Sequence, residues 1–141
     1  MTDLATLKSL RTRVANATGA DREIDFAICV VFGIKGKSRI VNKRGHVVNG
    51  KPVFLRVDIE YPKLTSSIDA ARVLVERVLP GMVIECAIYP EGGGYACLWP
   101  WFKRALPMGH RGETEAGTVT PVLAIILALL DALIAREKTD E

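Results

Sequence analysis

The sequence predicts a single α/β domain that forms a three-layer α/β/α sandwich, with about four helices and a sheet of about four strands. Four segments repeat apolar residues at three- and four-residue intervals, which is typical of helices with one buried face. Two pairs of β-prone runs are joined by glycine-containing turns, so the sheet is expected to be at least partly antiparallel. The length of 141 residues suits one domain, predicted to span 1–141.

The first two helices are predicted close together near the start of the chain. Residues 4–15 carry one leucine-rich stripe. A second helix follows, with Thr18 as its expected N-cap and Asp21 in the first turn, where a carboxylate favours the positive end of the helix dipole. Gly33 is expected to end this helix.

The other two helices have equally clear start signals. Ser66 is the expected N-cap of the third helix, with Asp69 at the capping-box position, and Pro80 stops it. Thr120 is the expected N-cap of the last helix, which begins with a proline and runs to about Arg136. That helix is apolar on most sides at its start, which predicts burial against several other elements.

The first hairpin is predicted around Asn49-Gly50, a strong turn signal. Val47-Val48 and the alternating run 53–57 flank it as strands, and residues 34–52 as a whole are expected to form a basic hairpin or loop. The second hairpin is predicted from strands over 82–89 and 95–101, joined by a glycine-rich turn. Residues 102–118 are polar and are expected to form a loop.

Composition favours a soluble cytoplasmic protein. The hydrophobic share of 49% is ordinary for a globular chain and argues against disorder. Three cysteines without a Cys-x-x-Cys pair are typical of a reduced compartment. The apolar run 122–130 is shorter than the roughly 18 residues that span a bilayer, so no membrane partner is predicted. Residues 1–3 and 137–141 are expected to fray.

Three stretches together resemble the phage ABA sandwich domain of uncharacterised phage and prophage proteins. They are ATGADREID at 17–25, YPKLTSSIDAA at 61–71 and GTVTPVLA at 117–124. The resemblance covers most of the chain and implies a phage or prophage origin, a bacterial host cytoplasm and an α/β/α sandwich. It implies no reaction. The chain departs from the pattern in its basic hairpin and in the Trp-Pro-Trp sequence at 99–101.

Positive charge is concentrated in one segment. The net charge is only +3, yet residues 35–51 hold six basic and no acidic residues. Such a cluster is a candidate phosphate-binding surface, and a two-stranded ribbon can enter a major groove. A solvated hairpin that protects a sheet edge from aggregation is the alternative. The candidate nucleic-acid-binding residues are Lys35, Lys37, Arg39, Lys43, Arg44 and Lys51.

An aromatic cluster at the end of the last predicted strand is a candidate protein-binding site. Exposed at a rim, aromatic side chains next to cations make binding hot spots, whereas buried ones are core. The candidate partner-binding residues are Trp99, Trp101, Phe102, Lys103 and Arg104.

Catalytic and metal-binding patterns are weak. The acidic residues Asp21, Glu23 and Asp25 are explained by the helix dipole. His46 and His110, both in predicted loops, lack zinc-site spacing. No cofactor, metal site or catalytic residue is therefore predicted.

Cys86 and Cys97 would face each other if the second hairpin had a two-residue turn at 91–92. A disulfide or redox pair could then form. Two small apolar side chains in a core are the commoner outcome in a cytosolic protein.

The leading hypothesis is a non-enzymatic phage accessory protein that binds another protein, with an inhibitor of a host system as one member of that class. Nucleic-acid binding through residues 35–51 is the alternative. An enzyme whose carboxylates and histidine meet in a pocket is a third hypothesis, and a homodimer is left open.

Overall fold

The computed structural model describes residues 2–48, 50–90, 93–100, 110–113 and 120–139. Its helices are α1 (Leu4–Ala15), α2 (Arg22–Phe32), α3 (Ile68–Val78) and α4 (Pro121–Thr139). Its strands are β1 (Lys37–Val48), β2 (Lys51–Glu60), β3 (Met82–Ile88), β4 (Gly94–Pro100) and β5 (His110–Glu113). The mixed α/β class with four helices agrees with the prediction. The strands pair as two antiparallel sheets, β1-β2 and β3-β4-β5, so a single four-stranded sheet and a three-layer sandwich are not confirmed.

Helix α2 begins one turn later than predicted. Asp21, and not Thr18, is its N-cap, because the extended backbone there lets the carboxylate accept hydrogen bonds from the N–H groups of Glu23 (2.8 Å) and Ile24 (3.3 Å). Gly33 ends the helix as predicted, at a φ of +66° that favours glycine.

Helices α3 and α4 also differ from prediction at their ends. Ser67, and not Ser66, caps α3, since its hydroxyl accepts the N–H of Ala70 at 3.2 Å. Helix α4 begins at the predicted proline but continues to Thr139, past the predicted end near Arg136. The hydroxyl of Thr120 is buried and has no hydrogen-bond partner among the described residues, so it does not make the predicted capping bond.

Helix α4 is the centre of the core. It contacts all three strands of the β3-β4-β5 sheet and also α1 and α3, which explains why it is apolar on nearly every side. An ion pair between Arg11 and Asp131, with an Nε–Oδ1 distance of 2.9 Å, joins α1 to α4 at the surface. Eleven residues of α4 are buried: Val122, Leu123, Ala124, Ile125, Ile126, Leu127, Ala128, Leu129, Leu130, Ala132 and Ile134. No helix in the described ranges is long and apolar enough to cross a membrane.

The β3-β4-β5 sheet packs on α4 through alternate residues of β4. Ala96 and Leu98 are fully buried, and Gly94 approaches so closely that a Cβ there would lie 3.2 Å from Pro121. Strand β5 falls inside residues 102–118, where the sequence predicted only a loop. Its polar sequence HRGE carries no β signal, so its pairing with β4 is a tertiary effect.

Strands β1 and β2 form a ribbon of two long antiparallel strands, hereafter the ribbon. It extends well past the predicted strands at 47–48 and 53–57. Val48 pairs with Lys51, which places the turn where Asn-Gly was expected, and Gly50 has a φ of +76°. Among the described elements, β1 and β2 contact each other extensively, and neither makes comparable contact with another helix or strand.

Candidate functional site

Positive charge in the ribbon is balanced by acidic residues at its base, where Lys37 and Glu60 pair, and is not balanced toward the turn at 49–50. The register pairs Lys37 with Glu60 and Arg39 with Asp58, so residues of opposite charge occupy paired positions on the two strands. The part of the ribbon between residues 42 and 55, hereafter the distal half, has no acidic residue. The net positive charge of the ribbon therefore lies mainly in the half next to its turn.

The strands place the predicted nucleic-acid-binding residues along this ribbon. Arg39, Lys43 and Arg44 lie on β1, and Lys51 begins β2. The pairing shifts between Val41 and Asn42 and again before Val47, and such irregularities bend and twist a ribbon. The distal half is thus a basic, two-stranded element with an irregular register.

A pocket of about 430 Å³ lies where the ribbon joins the rest of the protein; we call it the basal pocket. The side chains of Lys35 and Lys37 are exposed here, as the sequence suggested. Lys63 joins them, although it lies twelve residues beyond the basic segment and no sequence signal links it to that segment. The lining residues are Lys35, Lys37, Glu60, Tyr61, Pro62 and Lys63. Three ammonium groups and one carboxylate give the pocket an excess of positive charge.

The loop that carries Lys63 is fastened to α2 by a buried carboxylate. Asp25 is 1% exposed, and its Oδ1 accepts the backbone N–H of Thr65 at 2.7 Å. Its Oδ2 accepts a hydrogen bond from Arg22 at 2.8 Å. Arg22 also donates to the carbonyl oxygens of Tyr61 at 3.0 Å and of Pro62 at 3.4 Å. We call this set of bonds the Asp25 clasp.

Two further contacts hold the same loop. The hydroxyl of Thr65 accepts the N–H of Asp21 at 2.8 Å and lies 3.2 Å from the Asp21 carbonyl oxygen, to which it donates. The rings of Phe26 and Tyr61 meet edge to face with centroids 5.1 Å apart. The stretches 17–25 and 61–71, which carry the family resemblance, are therefore in direct contact.

The three acidic residues at the start of α2 have separate roles. Asp21 caps the helix, in line with the helix-start interpretation, and Glu23 is exposed in the first turn. Asp25 goes beyond that interpretation, since it satisfies a buried N–H of a distant loop. Within the described ranges, no three His, Cys, Asp or Glu residues gather in a way that could hold a metal ion.

The predicted aromatic cluster is only partly described. Trp99 lies on β4 opposite Val83 and is half-buried. Trp101, Phe102, Lys103 and Arg104 lie outside the described residues. The structure therefore locates one member of this cluster, at an end of the three-stranded sheet.

Cys86 and Cys97 do not face each other, because the two-residue turn that this required does not form; nor are both in the core, since Cys86 is exposed. Cys86 pairs with Ala96, and Cys97 pairs with Glu85, so the two cysteines lie on opposite faces of the sheet. The reason is the turn: the N–H of Tyr89 donates to the carbonyl of Gly93, which leaves three connecting residues and not two, and shifts the register by one.

The remaining titratable candidates, Cys29, His46 and His110, lie on three different elements. Burial raises the pKa of the Cys29 thiol, and the negative charge of Asp25 adds to this effect, which disfavours the reactive thiolate. His46 lies on β1 and His110 on β5, so both are in strands and not in the predicted loops.

A groove of about 640 Å³ lies between α1 and α2. Phe26 and Val30 line it and are 48% and 64% exposed. Its charged lining residues are Arg13, Arg22 and Glu23, and Arg22 is already bonded in the clasp. Its lining therefore has a smaller excess of positive charge than that of the basal pocket, so anion-binding chemistry points to the ribbon and its base.

Comparisons with protein-family models, with curated proteins and with solved structures find no match for this chain.

Proposed function

We propose that the protein binds nucleic acid through the ribbon. The observation that supports this proposal most is a long two-stranded element that extends from the core and carries unbalanced positive charge in its distal half. A protein that needed the ribbon only for stability would gain by packing it on the core. A projecting ribbon with six cations and no anion over 35–51 is instead suited to a polyanion.

The dimensions of the ribbon suit a double helix. A two-stranded ribbon fits the major groove, which is about 12 Å wide. Strand β2 has ten residues, so the ribbon is roughly 30 Å long at the usual rise per residue. No aromatic residue lies between Gly36 and Val53, which leaves this segment without the stacking platform that single-strand binders use.

The test is the salt dependence of binding to a labelled 20-base-pair duplex, followed by fluorescence anisotropy. If the three cations of the distal half each neutralise one phosphate, affinity should fall at least about forty-fold between 50 and 200 mM salt. The double substitution Lys43→Glu and Arg44→Glu should abolish binding. The matched control, Lys8→Glu with Arg77→Glu, makes the same charge change at exposed positions of α1 and α3 and should retain most of the affinity.

Two results would contradict this proposal. One is affinity that does not respond to salt. The other is equal loss of binding in the ribbon variant and in the helix control, because net charge alone would then explain the effect.

The second candidate function is protein binding through Trp99, Trp101, Phe102, Lys103 and Arg104. The partial exposure of Trp99 at a sheet end supports it. Capture of partners from host lysate, with and without nuclease, separates the two candidates. A protein partner that is still captured after nuclease treatment, and that is lost when Trp101 and Arg104 are substituted, would favour protein binding. Inhibition of a host system is one form that this function could take. Self-association measured by light scattering addresses the homodimer.

The setting of either function rests on the family resemblance. A phage or prophage origin, a bacterial cytoplasm and the three-layer α/β/α arrangement stay predictions. The joining of stretches 17–25 and 61–71 into one hydrogen-bonded unit supports the view that the resemblance reflects shared structure.

A further inference from the structure

We infer that the basal pocket is a phosphate site that holds the backbone of a double-stranded nucleic acid while the distal half of the ribbon lies in the major groove. This inference rests on the proposed function and adds its substrate class and a second contact point. It uses Lys63, which lies outside the predicted basic segment.

The first argument is charge. Lys35, Lys37 and Lys63 are all exposed around one concave surface. The single acidic lining residue, Glu60, pairs in register with Lys37, so the other two lysines lack an anion among the pocket's own lining residues. An ammonium group bound to a phosphate oxygen releases a counterion, and this gain needs no particular base sequence.

The second argument is tight packing beneath the lysines. Gly36, between Lys35 and Lys37, lies against the end of β2: a Cβ there would overlap the Ile59 side chain and lie 3.0 Å from the Glu60 carbonyl oxygen. The absence of a side chain lets the chain that carries both lysines approach the 61–65 loop.

The third argument is preorganisation. Lys63 lies on a loop whose two ends are fixed, by Arg22 at the carbonyls of Tyr61 and Pro62 and by Asp25 at the N–H of Thr65. A cation on a fixed backbone loses less conformational entropy when it binds a phosphate. The Asp25 clasp thus keeps Lys63 beside Lys35 and Lys37.

The fourth argument is spacing. Arg44 is the seventh residue after Lys37, so the basal pocket lies roughly 20 Å from the distal cations along β1. A duplex advances about 3.4 Å per base pair, so the two clusters are some six base pairs apart. A duplex holds phosphates rigidly at this separation, and the second contact then forms at high effective concentration. A flexible single strand must be ordered first.

The experiment compares the double substitution Lys35→Gln and Lys63→Gln with Lys8→Gln and Arg77→Gln, on a 20-base-pair duplex and on one of its single strands. The pocket variant should lower duplex affinity about tenfold and reduce the slope of log affinity against log salt by roughly two, one for each ammonium–phosphate pair that the substitutions remove. The control should keep the wild-type slope, and affinity for the single strand should fall less than about threefold. Both lysines are exposed, so thermal unfolding should match wild type.

The outcomes separate this inference from the proposed function. An unchanged duplex slope in the pocket variant, with binding still abolished in the Lys43 and Arg44 variant, would overturn the basal phosphate site and leave the ribbon proposal standing. An equal fall in affinity on duplex and single strand would overturn the assignment to double-stranded nucleic acid. Wild-type protein that binds neither probe would overturn both.

Discussion

Replacement of Asp25 by alanine should lower the free energy of unfolding far more than replacement of any other acidic residue in α2. The carboxylate is 1% exposed and accepts the Thr65 N–H at 2.7 Å and an Arg22 N–H at 2.8 Å. Without it the Thr65 N–H stays buried and unpaired, at a cost of about 1–3 kcal/mol. The Arg22 side chain is 53% exposed, so water can solvate it, and removal of the ion pair adds at most about 1 kcal/mol. The total is about 3 kcal/mol.

A conservative variant separates the two contributions. Asp25→Asn keeps an oxygen that can accept the Thr65 N–H, but its amide group would meet the guanidinium of Arg22 donor to donor. We therefore expect a destabilisation of about 1–2 kcal/mol, smaller than that of the alanine variant. Glu23→Ala is the matched control, because this carboxylate is exposed two residues earlier in the same helix and should change stability by less than about 0.5 kcal/mol.

The assay is urea unfolding followed by circular dichroism, with thermal unfolding as a second measurement. A destabilisation of about 3 kcal/mol corresponds to a fall in Tm of about 10 °C for a chain of this size. If the stability of Asp25→Ala lies within about 0.5 kcal/mol of that of Glu23→Ala, the clasp does not stabilise the fold, and the argument that it positions Lys63 fails with it.

Three further predictions concern other parts of the fold. Gly94→Ala should lower the free energy of unfolding measured in urea by about 2–3 kcal/mol, because a Cβ would overlap the carbonyl oxygen of Ala87 on the paired strand. A variant as stable as wild type would contradict this close approach of the two strands. Hydrogen bonds from the side chain and backbone of Thr6, in the first turn of α1, lower the pKa of Asp3 below its ordinary value, so the Asp3 carboxylate stabilises the fold above that ordinary pKa, and this stabilisation disappears as pH falls through the folded pKa. The variant Asp3→Asn, whose side chain can cap the helix but does not titrate, should therefore show a smaller fall in Tm below about pH 4. A dependence of Tm on pH equal to that of wild type would exclude this role for Asp3. Cys86 is exposed and should react with iodoacetamide in the native protein, whereas Cys29, which is buried and has a raised pKa, should react only in denaturant. Equal labelling of the two cysteines in the native protein, measured by mass spectrometry, would refute this prediction.

Local sequence patterns predicted the helices well, because a helix that buries a stripe of apolar residues repeats them at three- and four-residue intervals. Leu7, Leu10 and Val14 are buried as their spacing indicates. The errors lie at the ends, where several residues can cap a helix and tertiary contacts decide which one does. Asp21 caps α2 in place of Thr18, and its N–H also bonds to a residue 44 positions away, which no local rule can anticipate.

The sequence predicted those features of the candidate site that one continuous segment forms. The charge cluster and the turn at 49–50 come from one continuous segment, and both indicated the ribbon. Lys63 joins the basal pocket only because a buried aspartate fastens a distant loop, and the sequence around Asp25 indicates only an ordinary helix-start carboxylate. The register of Cys86 with Ala96 depends on one extra turn residue, which the glycine-rich sequence at 92–94 does not specify.

The position of α4 at the centre of the core determines when this chain can fold during synthesis. The Arg11–Asp131 ion pair joins residues 120 positions apart, and the β3-β4-β5 sheet packs mainly on α4. The ribosome therefore releases α1 and α3 long before their main packing partner, α4, exists. The ribbon, in contrast, pairs only near neighbours in sequence and has low contact order. A nascent chain stalled before residue 121 should thus present a formed or forming basic ribbon on an unconsolidated, chaperone-accessible body.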